Sequence, residues 1–200
     1  MIETLTRMVQ AIRYPGYAPG RLTSRLKEDL SGFEVSDVKM HRARFKAAGT
    51  DIEFDVYESV EINFLMTIVV AEFLLELGPC DREGEEIRIT HRGVWRRSGI
   101  DFEARGAPGA DVLRLRTTLE SHASLSAALL PLDFTKCRLV TECGQWRLRL
   151  QHFACCEIVG ALPGFRRYIR LVKEQRAALL ATFTAVKDAY AISALPRRLH

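Results

Sequence analysis

The chain has 200 residues, 48% of them hydrophobic and 27% charged, with a net charge of +4. That is enough for one full-sized core, or two small halves sharing one, but too little for two independent domains joined by a linker; so ordinary a composition also excludes a long disordered tail. Residues 51 to 86 hold eleven acids against the single base Arg82, and residues 160 to 200 hold eight bases against Glu174 and Asp188. The expectation is of two oppositely charged faces that pair within the fold or between subunits, or are simply solvated.

Ile2, Leu5, Met8, Val9 and Ile12 recur at helical spacing and stop before Pro15-Gly16, which predicts an amphipathic helix over residues 2 to 13. No continuous apolar run or cleavage site accompanies it, so no signal peptide is expected. Leu22, Leu26 and Leu30 predict a second helix, ended by Ser31-Gly32. Phe33 and Val35, then Val38 and Met40, predict a strand with a bulge. In Asp51 to Val56 acids and apolar residues alternate strictly, the pattern of a strand with one wet and one buried face. The acids Asp51, Glu53 and Asp55 are expected on the solvated side, since the run lacks the glycine and bidentate acid of a calcium loop. Residues 58 to 77 read either way: Glu58, Glu61, Glu72 and Glu76 fit one helical face, whereas Val60, Ile62, Phe64 and Met66 alternate like a strand. Asn63, Thr67, Glu72 and Glu76 interrupt this apolar stretch too often for it to span a bilayer.

Residues 86 to 105 predict a hairpin, with opposed charges on its wet face. A short strand at Val112, Leu113 and Leu115 is expected to run into a helix that begins at Thr117, where Thr117 and Glu120 have capping-box spacing, and stops at Pro131. Cys137 to Thr141 and Trp146 to His152 flank Gly144 as a second hairpin with arginines outside. Phe165 to Leu171 reads as a basic edge strand or turn, and Val172, Leu179, Leu180, Phe183, Val186 and Tyr190 mark a long C-terminal helix. Residues 191 to 200 are expected as a basic flexible tail. Leu30 and Phe33 match Leu130 and Phe134, and Phe54 to Ile62 align on Leu150 to Ile158 without gaps, so an internal duplication of about residues 21–77 and 117–171 is one reading. The fold class expected is α+β within a single domain of residues 1–200: an antiparallel sheet with helices mainly on one face, and two pseudo-equivalent helix-plus-hairpin halves as an option.

His152, Cys155, Cys156 and Glu157 hold the residue types of a thiol nucleophile, a base and a carboxylate within six positions. Core packing is the competing reading, because cysteine is among the most buried residue types. His152, Cys156 and His91 are the candidate catalytic residues. Arg166, Arg167, Tyr168 and Trp95 are the candidate binding residues, for an anion or for stacked bases of a single strand. Cys137, Cys143, His152 and Cys156 lack the spacing of a zinc knuckle, so no metal is expected, and no local motif implies a cofactor. Five cysteines, an odd count without framework spacing, favour reduced thiols in a cytoplasmic setting.

The segments PLDF, WRLRLQHF, EIVGALPGFRRYIRL and EQRAALLATF, between Pro131 and Phe183, resemble a family of uncharacterised bacterial proteins of unknown function. The resemblance covers the last third of the chain, implies a bacterial cytosolic protein, and brings no activity or site residue with it. The functional expectation is a non-enzymatic binding or interaction module, with a homodimer as the candidate assembly and no membrane partner. The alternatives are a small thiol/histidine enzyme acting on an anionic substrate, and a single-stranded nucleic-acid binder.

Overall fold

In a computed structural model of the chain, the residues described are 16–93, 97–160 and 164–194. They form four helices, α1 (Arg21–Asp29), α2 (Ala110–Ser121), α3 (Ala123–Leu129) and α4 (Lys173–Ala194). Nine strands accompany them: β1 (Phe33–Lys39), β2 (Arg42–Ala47), β3 (Glu53–Asn63), β4 (Met66–Pro79), β5 (Glu86–Arg92), β6 (Gly99–Arg105), β7 (Phe134–Glu142), β8 (Gln145–Gly160) and β9 (Phe165–Ile169). The strands are antiparallel, in the order β1-β2-β3-β4-β8-β7-β5-β6 with β9 paired to β8, so the fold is α+β. The chain divides into two compact units, the first made of residues up to Leu74 with Gln151–Val172, the second of Leu75–Leu150 with the chain from Lys173. Strands β4 and β8 contribute to both.

In the first unit, Phe54 is the centre of the core. Its ring stacks on Phe45 at 5.6 Å, meets Phe33 edge-on at 5.8 Å and tilts against Phe73 at 5.9 Å, a geometry that suits the aromatic quadrupole better than a face-to-face sandwich. Helix α1 buries Leu22 and Leu26 on one stripe. The bulge expected in β1 falls between Ser36 and Lys39, where Asp37 adopts a positive φ of 47°.

The ambiguous segment 58–77 is strand: β3 and β4 pair from Asp55↔Leu74 to Asn63↔Met66. The four glutamates fit a helical face only by coincidence of spacing, and the β-branched run Val69-Val70 with Phe73-Leu74-Leu75 is buried as a central strand requires.

In the second unit, β5 and β6 form the expected hairpin, with Arg88 opposite Glu103 and Thr90 opposite Asp101. Cys143 and Gly144 both have positive φ, 54° and 72°, the backbone of a type I′ turn between β7 and β8. Helices α2 and α3 pack on α4 and against β6, burying Val112, Leu115, Leu119, Leu125 and Leu129 with Leu179, Phe183 and Val186.

Four expectations need correction. Val112, Leu113 and Leu115 belong to helix α2, not a strand, because Val112, Leu115 and Leu119 share a helical stripe that the core takes up. Thr117 and Glu120 do not form a capping box: α2 starts after Gly109, Thr117 Oγ1 donates to the Leu113 carbonyl at 2.9 Å, and Glu120 accepts from Arg116. Residues 42–47, read as a basic-aromatic run, form strand β2. Residues 191–194 continue helix α4, and the rest of the expected tail lies outside the described residues, as does the expected helix over 2–13.

Candidate functional site

His152 and Cys156 lie on the part of β8 that belongs to the first unit, and both are buried. Cys155 between them has a positive φ of 61°, which breaks the strand alternation, so that Ala154, Cys155, Cys156 and Glu157 are all buried in succession. Burial pushes the Cys156 thiol up to about 11 and lifts Cys155 as well, helped by Asp29. A thiol nucleophile needs the opposite shift. The His152 Nδ1 accepts the Ala154 N–H at 3.0 Å, so one ring nitrogen is already spent on the backbone. Among the described residues no three His, Cys, Asp or Glu gather as a metal site.

Of the candidate binding residues, Arg166 donates to Glu157 at 2.7 Å and to the Gly16 carbonyl. Tyr168 donates to Asp29 at 2.7 Å; burial and that carboxylate push its phenol well up, which keeps the proton in place. Both side chains are occupied by the fold. Arg167 is exposed; Trp95 lies outside the described residues. The His41–Lys46 run is occupied too: Arg42 and Arg44 close on Asp55 at 2.9 Å each, and Phe45 is core. Asp55, expected on a solvated face, is therefore a buried ion-pair partner. Burial pushes its carboxyl up, but the hydrogen bonds from Arg44 and Arg42 outweigh that and hold it below the usual range.

Arginine and acid pairing in the first unit goes further. Glu157 takes Arg21 as well as Arg166. Asp29 accepts from Tyr168, from Arg170 at 3.0 Å and from the Leu171 N–H at 2.9 Å. Glu58 accepts the N–H groups of Gly20 and Thr23 at 2.9 Å each, the Thr23 hydroxyl and the Tyr17 phenol. Acid and base blocks of the sequence thus do not confront one another here. Asp55 and Glu58 of the acid block are held by α1, β2 and the chain before α1, while Arg166 and Arg170 of the basic block hold Glu157 and Asp29.

A different picture surrounds His91, in the second unit. The β5–β7 ladder runs Glu86↔Val140, Ile87↔Leu139, Arg88↔Arg138, Ile89↔Cys137 and ends there. Strand β5 continues to Arg92 and β7 begins at Phe134, so both strands extend past the last pair. A cavity of about 460 Å³ opens at that place, lined by Glu86, Arg88, Thr90, His91 and by Phe134 to Arg138. His91 stacks on Phe134 with centroids 4.1 Å apart. Burial, with Arg97 nearby, lowers the His91 pKa, against the opposing pull of Asp133 and the backbone of Leu129 and Leu132. Its buried Nε2 has no hydrogen-bond partner among the described residues.

The charges of this cavity are uneven. Arg88 and Arg138 face each other directly across the ladder, a like-charge placement that destabilises a bare sheet. The acid opposite Arg88 on β6, Glu103, is bonded to Arg105 at 3.0 Å, and Glu86 reaches Arg138 only at 3.9 Å. Lys136 adds a third cation to the lining. Sequence reasoning found His91 but missed Arg88, Lys136 and Arg138. Each looked like a solvated strand residue, and only the pairing of β5 with β7 brings them together.

Fold and site together define an α+β protein of antiparallel strands with a cationic cavity where two strands part. Residues 28–190 match a family described as "Protein of unknown function (DUF3156)", and the chain belongs to that family. The match covers most of the chain, so the resemblance read in the last third extends well beyond it. No curated protein and no solved structure matches. Among the described residues no helix is long and apolar enough to cross a membrane.

Proposed function

We propose that the protein is a non-catalytic binding module that holds a small polyanion, a molecule bearing phosphate or carboxylate groups, in the cavity between β5 and β7. The observation that carries this reading is the placement of Arg88 directly opposite Arg138, with Lys136 beside them in one cavity. Two arginines in register repel unless an anion lies between them, and guanidinium groups are the fittest side chains for such oxygens. A volume of about 460 Å³ falls within the range of small-ligand pockets. His91, with an unpartnered buried nitrogen on the same lining, supplies a further polar contact, and the Phe134 ring a flat apolar wall. All five cysteines are free, which supports a reducing, cytoplasmic setting.

The test is titration calorimetry with pyrophosphate and citrate as probes. Saturable binding of at least one is expected, and loss of a charge-assisted contact worth about 1.5–3 kcal/mol in Arg88→Ala or Arg138→Ala should weaken it roughly tenfold or more. A wild-type protein that binds neither probe at millimolar concentration, or variants that bind as tightly as wild type, would overturn the reading.

A further inference from the structure

Strands β3 and β4 of the first unit are joined through Phe64-Leu65 at a tip with an unusual surface. Phe64 is 99% exposed, Ile62 54%, Leu65 49% and Met66 36%. An aromatic and three aliphatic side chains in one run, all presented to solvent, form a continuous apolar patch and not the scattered exposure any surface shows. Beside it lies a hollow of about 220 Å³, lined by Ile62 to Thr67, by Val159 and Gly160 of β8, and by Gly16. Phe165, opposite Gly160 in the β8–β9 ladder and 47% exposed, extends the apolar character.

Gly16 marks the occupant. The fifteen residues before it carry the stripe Ile2, Leu5, Met8, Val9 and Ile12 against Glu3, Arg7, Gln10 and Arg13, a pattern that requires an apolar surface to lie on. That segment joins the described chain at the wall of the hollow. The junction is held in place: Gly16 has φ +77°, a Cβ there would stand 2.5 Å from Val159 Cγ1, and its carbonyl receives Arg166. A helix over residues 2 to 13 would be about 18 Å long, enough to cross a hairpin and a neighbouring strand spaced about 4.8 Å apart. The exposed tip is far short of the roughly 800 Å² per partner of a stable dimer interface.

We infer that the N-terminal segment, residues 1–15, docks as an amphipathic helix on the apolar end of the first unit formed by Ile62, Phe64, Leu65, Met66 and Phe165. The test replaces Phe64 in the full-length chain with the photo-reactive p-benzoylphenylalanine and maps the cross-linked peptides after irradiation, with phosphatidylglycerol vesicles added in a parallel sample. Cross-links within one chain to residues 1–13, lost in the pair Met8→Asp with Ile12→Asp, are expected. The same pair should raise the fluorescence of an added anilinonaphthalene dye several-fold as the patch is uncovered. Cross-links to a second copy, to lipid, or to no residue in 1–13 would overturn the inference, as would cross-links that persist unchanged in the double variant.

Discussion

The two units use charge in opposite ways. In the first, Asp29, Asp55 and Glu157 are buried, and each is closed on by two or more donors. In the second, the pairs Arg92–Asp101, Arg114–Asp111, Arg116–Glu120 and Arg105–Glu103 stand at the surface. A buried carboxylate carries a desolvation cost that only several well-placed donors offset, so Glu157 and Asp29 prescribe where α1 and β9 must lie. The helices of the second unit dock through leucine, valine and phenylalanine contacts, which leaves the arginines of its strands available to a ligand. Charge that specifies a fold is spent on it, and charge that binds something else has to be left over.

The comparison breaks most readily at Asp29. Replacing it with Ala strands the Tyr168 hydroxyl and the Leu171 N–H, both inside the first unit, and is expected to cost about 3 kcal/mol in urea denaturation. Arg170 is mostly exposed and adds little to that figure. Asp29→Asn, which keeps an acceptor oxygen, should lose less. Glu58→Ala comes next: it removes the acceptor for two N–H groups at the start of α1, whose own N-cap Gly20 offers no side chain, and should cost about 1–2 kcal/mol.

Acid sharpens the contrast by separating the units in pH. His91 has a folded pKa below its usual 6.5, so the unfolded chain takes up the proton first. The stability due to neutral His91 is present above pH 6.5 and declines as pH falls below it. Asp55 is depressed below 3.8; its contribution is present above 3.8 and is lost only as pH falls further, through its folded pKa. Denaturation midpoints followed from pH 8 to pH 3 should show the earlier decline vanish in His91→Gln while the later one remains. The smallest effect belongs to Arg116→Ala, which breaks an exposed pair on α2 and should change stability by less than about 0.5 kcal/mol. A loss there as large as that of Asp29→Ala would dissolve the distinction between the units.

Much of the element order was legible in advance. The 86–105 and 137–152 hairpins, the stripe of α1 and the long C-terminal helix all follow from periodicity, because each exposes one face to water and buries the other. The failures share one cause. The capping-box spacing of Thr117 and Glu120 was accidental, while the acid that does cap a helix, Glu58, comes from a strand far along the chain from α1. Asp55 alternates like a solvated residue, yet Arg42 and Arg44 arrive from the adjacent strand to bury it. His152 and Cys156 were picked out because their chemistry stood close in sequence, and burial deprives the thiol of that chemistry.

Local periodicity and turn chemistry determined the fold class and most of the elements, since both depend on residues within a few positions of one another. Which carboxylates are buried, and which cations share the cavity between β5 and β7, was decided by the tertiary structure alone. Electrostatic and desolvation energies depend on distance in space, and a strand alternation reads the same whether the residue opposite is water, an acid or a second arginine.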